Sequence, residues 1–202
     1  MFAGLGGLDL AAEWAFPGSS TSWQLDQTLA DVRRRHWPDA LQVDADVRTV
    51  DPLDLPPIDA LCGGFPCTDL SVAGQQAGLD GEKSGLYGEM LRFARALWPE
   101  VVVMENVPAL LGYRERLEDD WHALGYGLTW VKARALDAGA PHIRRRVFVV
   151  AVMGGPMRGV MEAPTEGAWT GTESVPWQTP RPSDGKTGGW ESVEAGRKRA
   201  GL

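Results

Sequence analysis

Apolar positions fall in short runs that alternate with stretches of helical spacing, up to about Val152. The runs Thr21–Leu25, Leu41–Val43, Ile58–Cys62, Val101–Met104, Leu128–Ala133 and Val147–Val152 predict strands. Val101–Met104 and Val147–Val152 are almost continuously apolar, which suits strands covered on both faces. Helices are predicted over Leu8–Phe16, Gln27–His36, Glu82–Trp98 and Arg114–Leu124. In the third, Leu86, Met90, Ala94, Leu97 and Trp98 recur at helical spacing, and Pro99 stops the helix. Such strand–helix alternation predicts an α/β fold, a mostly parallel sheet with flanking crossover helices.

The pattern changes after Val152. Gly154–Leu202 is rich in Gly, Pro, Ser and Thr and has few apolar runs, which predicts loops, a linker or disorder. The expected organisation is therefore one folded domain over 1–152 and a Gly/Pro-rich segment over 153–202. No internal repeat is evident.

Composition adds limits. The chain has 202 residues, 44% hydrophobic and 23% charged, ordinary values for a globular protein with a core. No apolar run approaches the roughly 20 residues that cross a bilayer, and no secretory signal pattern opens the chain. The expectation is a cytoplasmic protein without a membrane partner.

The two cysteines are Cys62 and Cys67, and the three histidines, His36, His122 and His142, are scattered. A disulfide is not expected in a reducing compartment, and no metal-ligand spacing is present. Cys62 ends an apolar run and reads as a buried inert thiol. Cys67 lies in a loop and is a candidate nucleophile.

The net charge of −7 counts against nucleic-acid binding, which needs basic surface. Local patches matter more than the sum. Basic runs occur at Arg33–Arg35, Arg144–Arg146 and Arg197–Arg199, and each alone reads as readily as a solvated face.

Four segments carry chemistry. Phe2-Ala-Gly-Leu-Gly-Gly7 precedes a helical stretch. Glycines at a strand-to-helix turn let a ligand approach the backbone, although a plain tight turn fits as well. In Cys62-Gly-Gly-Phe-Pro-Cys67, two glycines permit a sharp loop and Pro66 stiffens the approach to Cys67. A thiolate held at a strand's C-terminal end is well placed for attack. In Val101-Val-Val-Met-Glu-Asn-Val-Pro108, Glu105 directly follows an apolar strand. That is costly without a partner or a task, with a helix cap as the other reading. In Ala140-Pro-His-Ile-Arg-Arg-Arg-Val-Phe148, strand alternation places Arg144 and Arg146 on one face, with Arg145 pointing away.

These segments, in this order, resemble the DNA cytosine-5 methyltransferase family: F-x-G-x-G-G, G-G-F-P-C followed by T-D-L-S-V-A-G, E-N-V, and Q-x-R-x-R. The match covers roughly residues 1–152.

The resemblance implies a Rossmann-like methyltransferase fold, S-adenosyl-L-methionine as cofactor, and double-stranded DNA with a flipped cytosine as substrate. It implies that Cys67 attacks carbon 6 and that Glu105 contacts N3 and the exocyclic amine. Arg144 and Arg146 would hold the base and the loop near Cys67. Flipping is needed because these ring atoms are out of reach within the stack. The cofactor would lie against Phe2 and the turn Leu5, Gly6 and Gly7. Gln24 and Leu25 would stand at its ribose, Asp46 and Val47 near its adenine, and Gly64, Pro66 and Leu86 at its methyl-donor end.

The chain departs from the family at several points. Thr68 stands where many members carry Gln, and His142 replaces the usual Gln. Gln24 occupies the place of the acid that accepts hydrogen bonds from the ribose hydroxyls. An amide oxygen accepts too, without charge assistance.

Most of the family's first strand is missing before Phe2, and no target-recognition domain follows. The run from Trp177 to Lys186 resembles the lead-in to such a domain in phage-borne enzymes. Three readings are open: a fragment, a split enzyme completed by a second polypeptide carrying the recognition domain, and a decayed gene. The chain alone is expected to lack sequence-specific methylation. A tRNA cytosine-5 methyltransferase and a non-catalytic cofactor- or partner-binding remnant stand as the alternatives.

Overall fold

All six predicted strands and all four predicted helices form, with shifted ends. The computed structural model describes residues 1–16, 18–66, 86–155 and 160–162. In chain order the elements are α1 (Gly7–Ala15), β1 (Trp23–Leu25), α2 (Ala30–His36), β2 (Leu41–Val43), β3 (Ala60–Gly63) and α3 (Leu86–Leu97). They continue as β4 (Val101–Asn106), α4 (Arg114–His122), β5 (Tyr126–Arg134), β6 (Arg145–Met153) and β7 (Val160–Glu162). Residues 82–85 of the predicted third helix lie outside the described residues. β7 is a strand that the sequence did not announce.

The chain divides into two units. The first comprises Met1–Ala133 and Arg146–Glu162, and the described part of the second is Arg134–Arg145. In the first unit, β1 and β2 pair in parallel, with Gln24 opposite Gln42. The remaining strands form a five-stranded sheet in the order β3-β4-β6-β5-β7. β3 runs parallel to β4, and β5 to β7, whereas β6 is antiparallel to β4. The sheet is thus mixed, with both parallel and antiparallel pairings. β1 and β2 stand as a separate pair. Beside β3, the Met1 amino group donates to the Cys62 carbonyl at 2.6 Å.

Alternation decides what each strand buries. On β4, Val102, Met104 and Asn106 are buried, while Val101, Val103 and Glu105 are half-buried. On β6, Val147, Val149 and Ala151 face the core. Helix α3 brings Met90, Phe93 and Ala94 into that core, the three- and four-residue spacing of a single helical face. Each such large side chain contributes on the order of 2 kcal/mol on burial. Gly63 is required where β3 meets α3, because a Cβ there would stand 2.8 Å from Met90 Sδ. Across the sheet, Trp121 and Tyr126 pack edge to face at 5.4 Å, and the Tyr126 hydroxyl donates to the Pro99 carbonyl at 2.7 Å.

The second unit is the connection between β5 and β6. Ala135–Ala138 forms a short 3-10 turn, held by Asp137 accepting from the Arg134 backbone and side chain. Among the described residues no helix is long and apolar enough to cross a membrane.

Candidate active site

The glycine segment folds as a tight turn leading into α1. Gly6 adopts φ +84°, in the left-handed region that favours glycine. A Cβ at Gly6 would also stand 2.4 Å from the Trp37 ring. Trp37 has little freedom to move, since its indole N–H donates to Glu13 Oε1 at 2.9 Å. We therefore expect Gly6→Ala to lower stability by about 2–4 kcal/mol, adding backbone strain to overpacking. Urea unfolding checks this, and a loss below about 1 kcal/mol would mean that Trp37 yields.

Two side chains hold the turn from below. Gly4 N–H donates to Asp26 Oδ2 at 2.9 Å, and Arg33 Nη1 donates to the Gly4 carbonyl at 2.9 Å. Arg33 is fully buried, so the Arg33–Arg35 run is not wholly a solvated face. Its guanidinium also donates to the carbonyls of Thr28 and Asp26 and to Gln42 Oε1, as a buried charge requires. Arg34, by contrast, forms an exposed ion pair with Asp31.

Burial alone would raise the Asp26 pKa. The bonds it accepts from Gly4 and Thr28 and the nearby Arg33 charge outweigh that and leave it below the ordinary value. A carboxylate lowered by folding adds stability above its unfolded pKa, and that stability is lost as pH falls through the folded value. Asp26→Asn should therefore cost about 1–2 kcal/mol at neutral pH, the low end for charged bonds because Asp26 is partly open to solvent. The penalty should shrink below about pH 4. Urea midpoints that differ equally at neutral and acid pH would exclude this account.

Gln24 is buried on β1. Its Oε1 accepts from Gln42 Nε2 at 2.7 Å, and its own Nε2 has no hydrogen-bond partner. Leu25 and Val47 are core residues, while Phe2, Leu86, Gly64 and Pro66 are half-buried and Leu5 and Gly7 are exposed. Asp46 caps a short 3-10 turn and binds Arg48. The Arg48 side chain and backbone hold its carboxyl down to about 2. An orphaned, buried amide beside the glycine turn fits a small polar ligand such as the cofactor.

A second cluster forms at the C-terminal ends of β3 and β4. Glu105 lies within β4 rather than after it. Arg146 Nε meets Glu105 Oε1 at 2.6 Å, with both side chains about a quarter exposed, at 24%. A Cβ on Gly64 would stand 3.1 Å from Glu105 Oε2, so the segment over Gly64–Pro66 comes directly against the carboxylate at Gly64. Asn106 fixes that segment, donating from Nδ2 to the Phe65 carbonyl at 3.0 Å. Its Oδ1 accepts from Val107 N–H at 2.8 Å. Sequence reasoning assigned no role to Asn106, although its place in Glu-Asn-Val was a signal.

Cys67 and Thr68 lie outside the described residues. Cys62 is half-buried, and burial pushes its pKa up, which disfavours the thiolate. Arg144 differs from expectation. It precedes β6, is exposed and has φ +28°. Strand alternation therefore does not reach it, and the expected shared face with Arg146 is not formed by regular strand geometry. His142 is likewise exposed.

A family profile, the C-5 cytosine-specific DNA methylase, matches residues 1–166. The chain belongs to this family. Among curated relatives, the type II methyltransferase M.NgoFVII of Neisseria gonorrhoeae is 35% identical over 161 residues, covering 75% of this chain and 42% of the relative. M.Bsp6I of a Bacillus species is 36% identical over 163 residues, covering 74% and 50%. The chain thus spans half or less of the length of these relatives. A solved structure of a putative DNA modification methyltransferase encoded within an E. coli prophage superposes with a TM-score of 0.59 at 27% identity. That match covers 75% of this chain and 45% of the other. The methylase family membership agrees with the Rossmann-like arrangement of sheet and helices.

Proposed function

We propose that this chain carries the catalytic and cofactor-binding part, nominally residues 1–152, of an enzyme that methylates carbon 5 of cytosine in DNA. The observation that supports this most directly is the Glu105–Arg146 pair set against Gly64. It brings an acid, a cation and the loop leading to Cys67 to one edge of the sheet, where open α/β sheets take their ligands.

In this reading Cys67, as thiolate, adds to carbon 6 of a flipped cytosine. Electron density moves toward carbon 5 and N3 as that bond forms. Glu105 shares a proton with N3 and accepts a hydrogen bond from the exocyclic amine, which stabilises the negative charge that develops in the ring. Arg146 holds the Glu105 carboxylate in position, and Arg144 contacts the base or the loop. When bound, S-adenosylmethionine supplies the electrophilic methyl group that carbon 5 takes up. Loss of the carbon 5 proton and departure of the Cys67 thiolate then restore the aromatic ring. Phe2, Leu5, Gly6, Gly7, Gln24, Leu25, Asp46, Val47, Gly64, Pro66 and Leu86 are the proposed cofactor contacts. A free thiolate nucleophile and a DNA substrate fit a cytoplasmic setting. Base-specific readout in a groove is proposed to come from a target-recognition segment outside the described residues or from a second polypeptide.

The test is transfer of tritiated methyl from S-adenosylmethionine to DNA or to tRNA. It is run with the chain alone and with the product of the neighbouring reading frame. Label in DNA supports the reading. Label in tRNA alone would replace it with the RNA enzyme, and no label under any condition would favour a non-catalytic remnant.

A further inference from the structure

The hydrogen-bonded row Arg33–Gln42–Gln24 has a direction. A guanidinium has only donors. Arg33 Nε donates to Gln42 Oε1 at 3.0 Å, so the Gln42 carbonyl must face Arg33 and its NH2 must face the other way. That NH2 donates to Gln24 Oε1 at 2.7 Å. The Gln24 carbonyl is thereby engaged, and its NH2 is turned toward the glycine turn, 3.1 Å from where a Gly6 Cβ would stand. The two ends of a glutamine amide are easily exchanged in a structure, but here the exchange is closed off, because reversing Gln42 would set its NH2 against the guanidinium.

The outcome is a buried donor without an acceptor. Gln24 is fully buried and its Nε2 has no hydrogen-bond partner. Asp9 is close enough for this amide to act on it as a hydrogen-bond donor, although the pair falls outside strict hydrogen-bond geometry. A buried donor left unsatisfied is costly, and the position beside the glycine turn suits a ligand that brings the acceptor.

We propose that Arg33 and Gln42 are positioning residues that fix the polarity of the cofactor's ribose subsite. Gln24 can only donate there, so the ribose is held by a bond from Gln24 Nε2 to a hydroxyl oxygen. This inverts the expectation that the Gln24 carbonyl accepts from a hydroxyl. It rests on the reading that the glycine turn holds S-adenosylmethionine.

The deciding variant is Gln42→Glu. A carboxylate at 42 still accepts from Arg33 and presents a second acceptor to Gln24. The Gln24 amide must then turn over and offer its carbonyl to the glycine turn. S-adenosylhomocysteine binding to the full 202-residue chain is measured by calorimetry. Nuclear Overhauser contacts of the Gln24 side-chain NH2 report its orientation without any ligand.

In the wild type, the NH2 should contact the Gly6 α-protons. In Gln42→Glu that contact should vanish, the fold should persist, and affinity should fall about tenfold, the equivalent of one hydrogen bond. Unchanged affinity would overturn the proposal and assign the amide to Asp9. Tighter binding would overturn it in favour of an accepting carbonyl. If Gln42→Glu does not fold, Gln24→Leu removes the donor directly and should weaken binding by a similar factor, and unaltered binding would again overturn the proposal. A wild-type chain that binds no S-adenosylhomocysteine while keeping the Gln24–Gly6 contact would sink the cofactor reading, and the proposal with it.

Discussion

Replacing Cys67 by serine should abolish methyl transfer and should also abolish covalent capture of DNA containing 5-fluorocytosine. The capture works because fluorine at carbon 5 cannot leave as the proton does, so the enzyme stays bonded to carbon 6. A serine hydroxyl has no comparable anionic form near neutral pH. The expected loss in turnover exceeds about 10⁴-fold, in the range seen when a covalent nucleophile is removed. The assay needs active wild-type material as reference, supplied by whichever preparation transfers label in the tritium experiment. Denaturing gels of the fluorocytosine reaction give the readout. An adduct formed by the Cys67→Ser chain would show that another group is the nucleophile. Cys62 is the obvious alternative thiol, and its raised pKa argues against it.

Much of the fold was legible because burial patterns were local. The spacing of Leu86, Met90 and Ala94 defined α3, and Pro99 defined its end. The almost continuously apolar runs Val101–Met104 and Val147–Val152 marked strands but could not give their sense, because an apolar run carries no strand direction. The antiparallel run of β6 against β4 therefore came only from the structure. β7 went unread because Val160–Glu162 is too short for periodicity and sits in a Gly- and Pro-rich stretch.

The site was legible where chemistry and motif coincided, at Glu105, Arg146 and Gly64. It was illegible where a residue acts through distant backbone. Asn106 binds a carbonyl 41 residues away. Arg33 was one of three adjacent arginines, and helical geometry turns each about 100° from the last. Which of them faces inward depends on how α2 packs, which the run itself does not show. Arg144 was placed by strand alternation, and the prediction failed because the strand begins one residue later.

Glu105→Gln should lower methyl transfer on the order of 10²–10³-fold, the usual cost of removing one group that stabilises charge in the transition state. Three consequences separate this role from a structural one. The substitution keeps shape and hydrogen-bonding capacity, and the pair with Arg146 is partly open to solvent. Loss of the ion pair should therefore cost no more than about 1 kcal/mol of stability. Cofactor binding should change little, since Glu105 neighbours the proposed cofactor contact Gly64 but is not itself one of the proposed contacts. Capture of 5-fluorocytosine DNA should slow with turnover, because attack at carbon 6 itself needs the charge on the ring to be stabilised. Arg146→Gln should show a smaller defect in turnover, as it leaves the carboxylate present but unheld. Single-turnover rates, a urea melt and cofactor calorimetry on both variants give the comparison. If Glu105→Gln transfers methyl within about threefold of wild type, the carboxylate is a strand-end partner of Arg146 and not part of the chemistry.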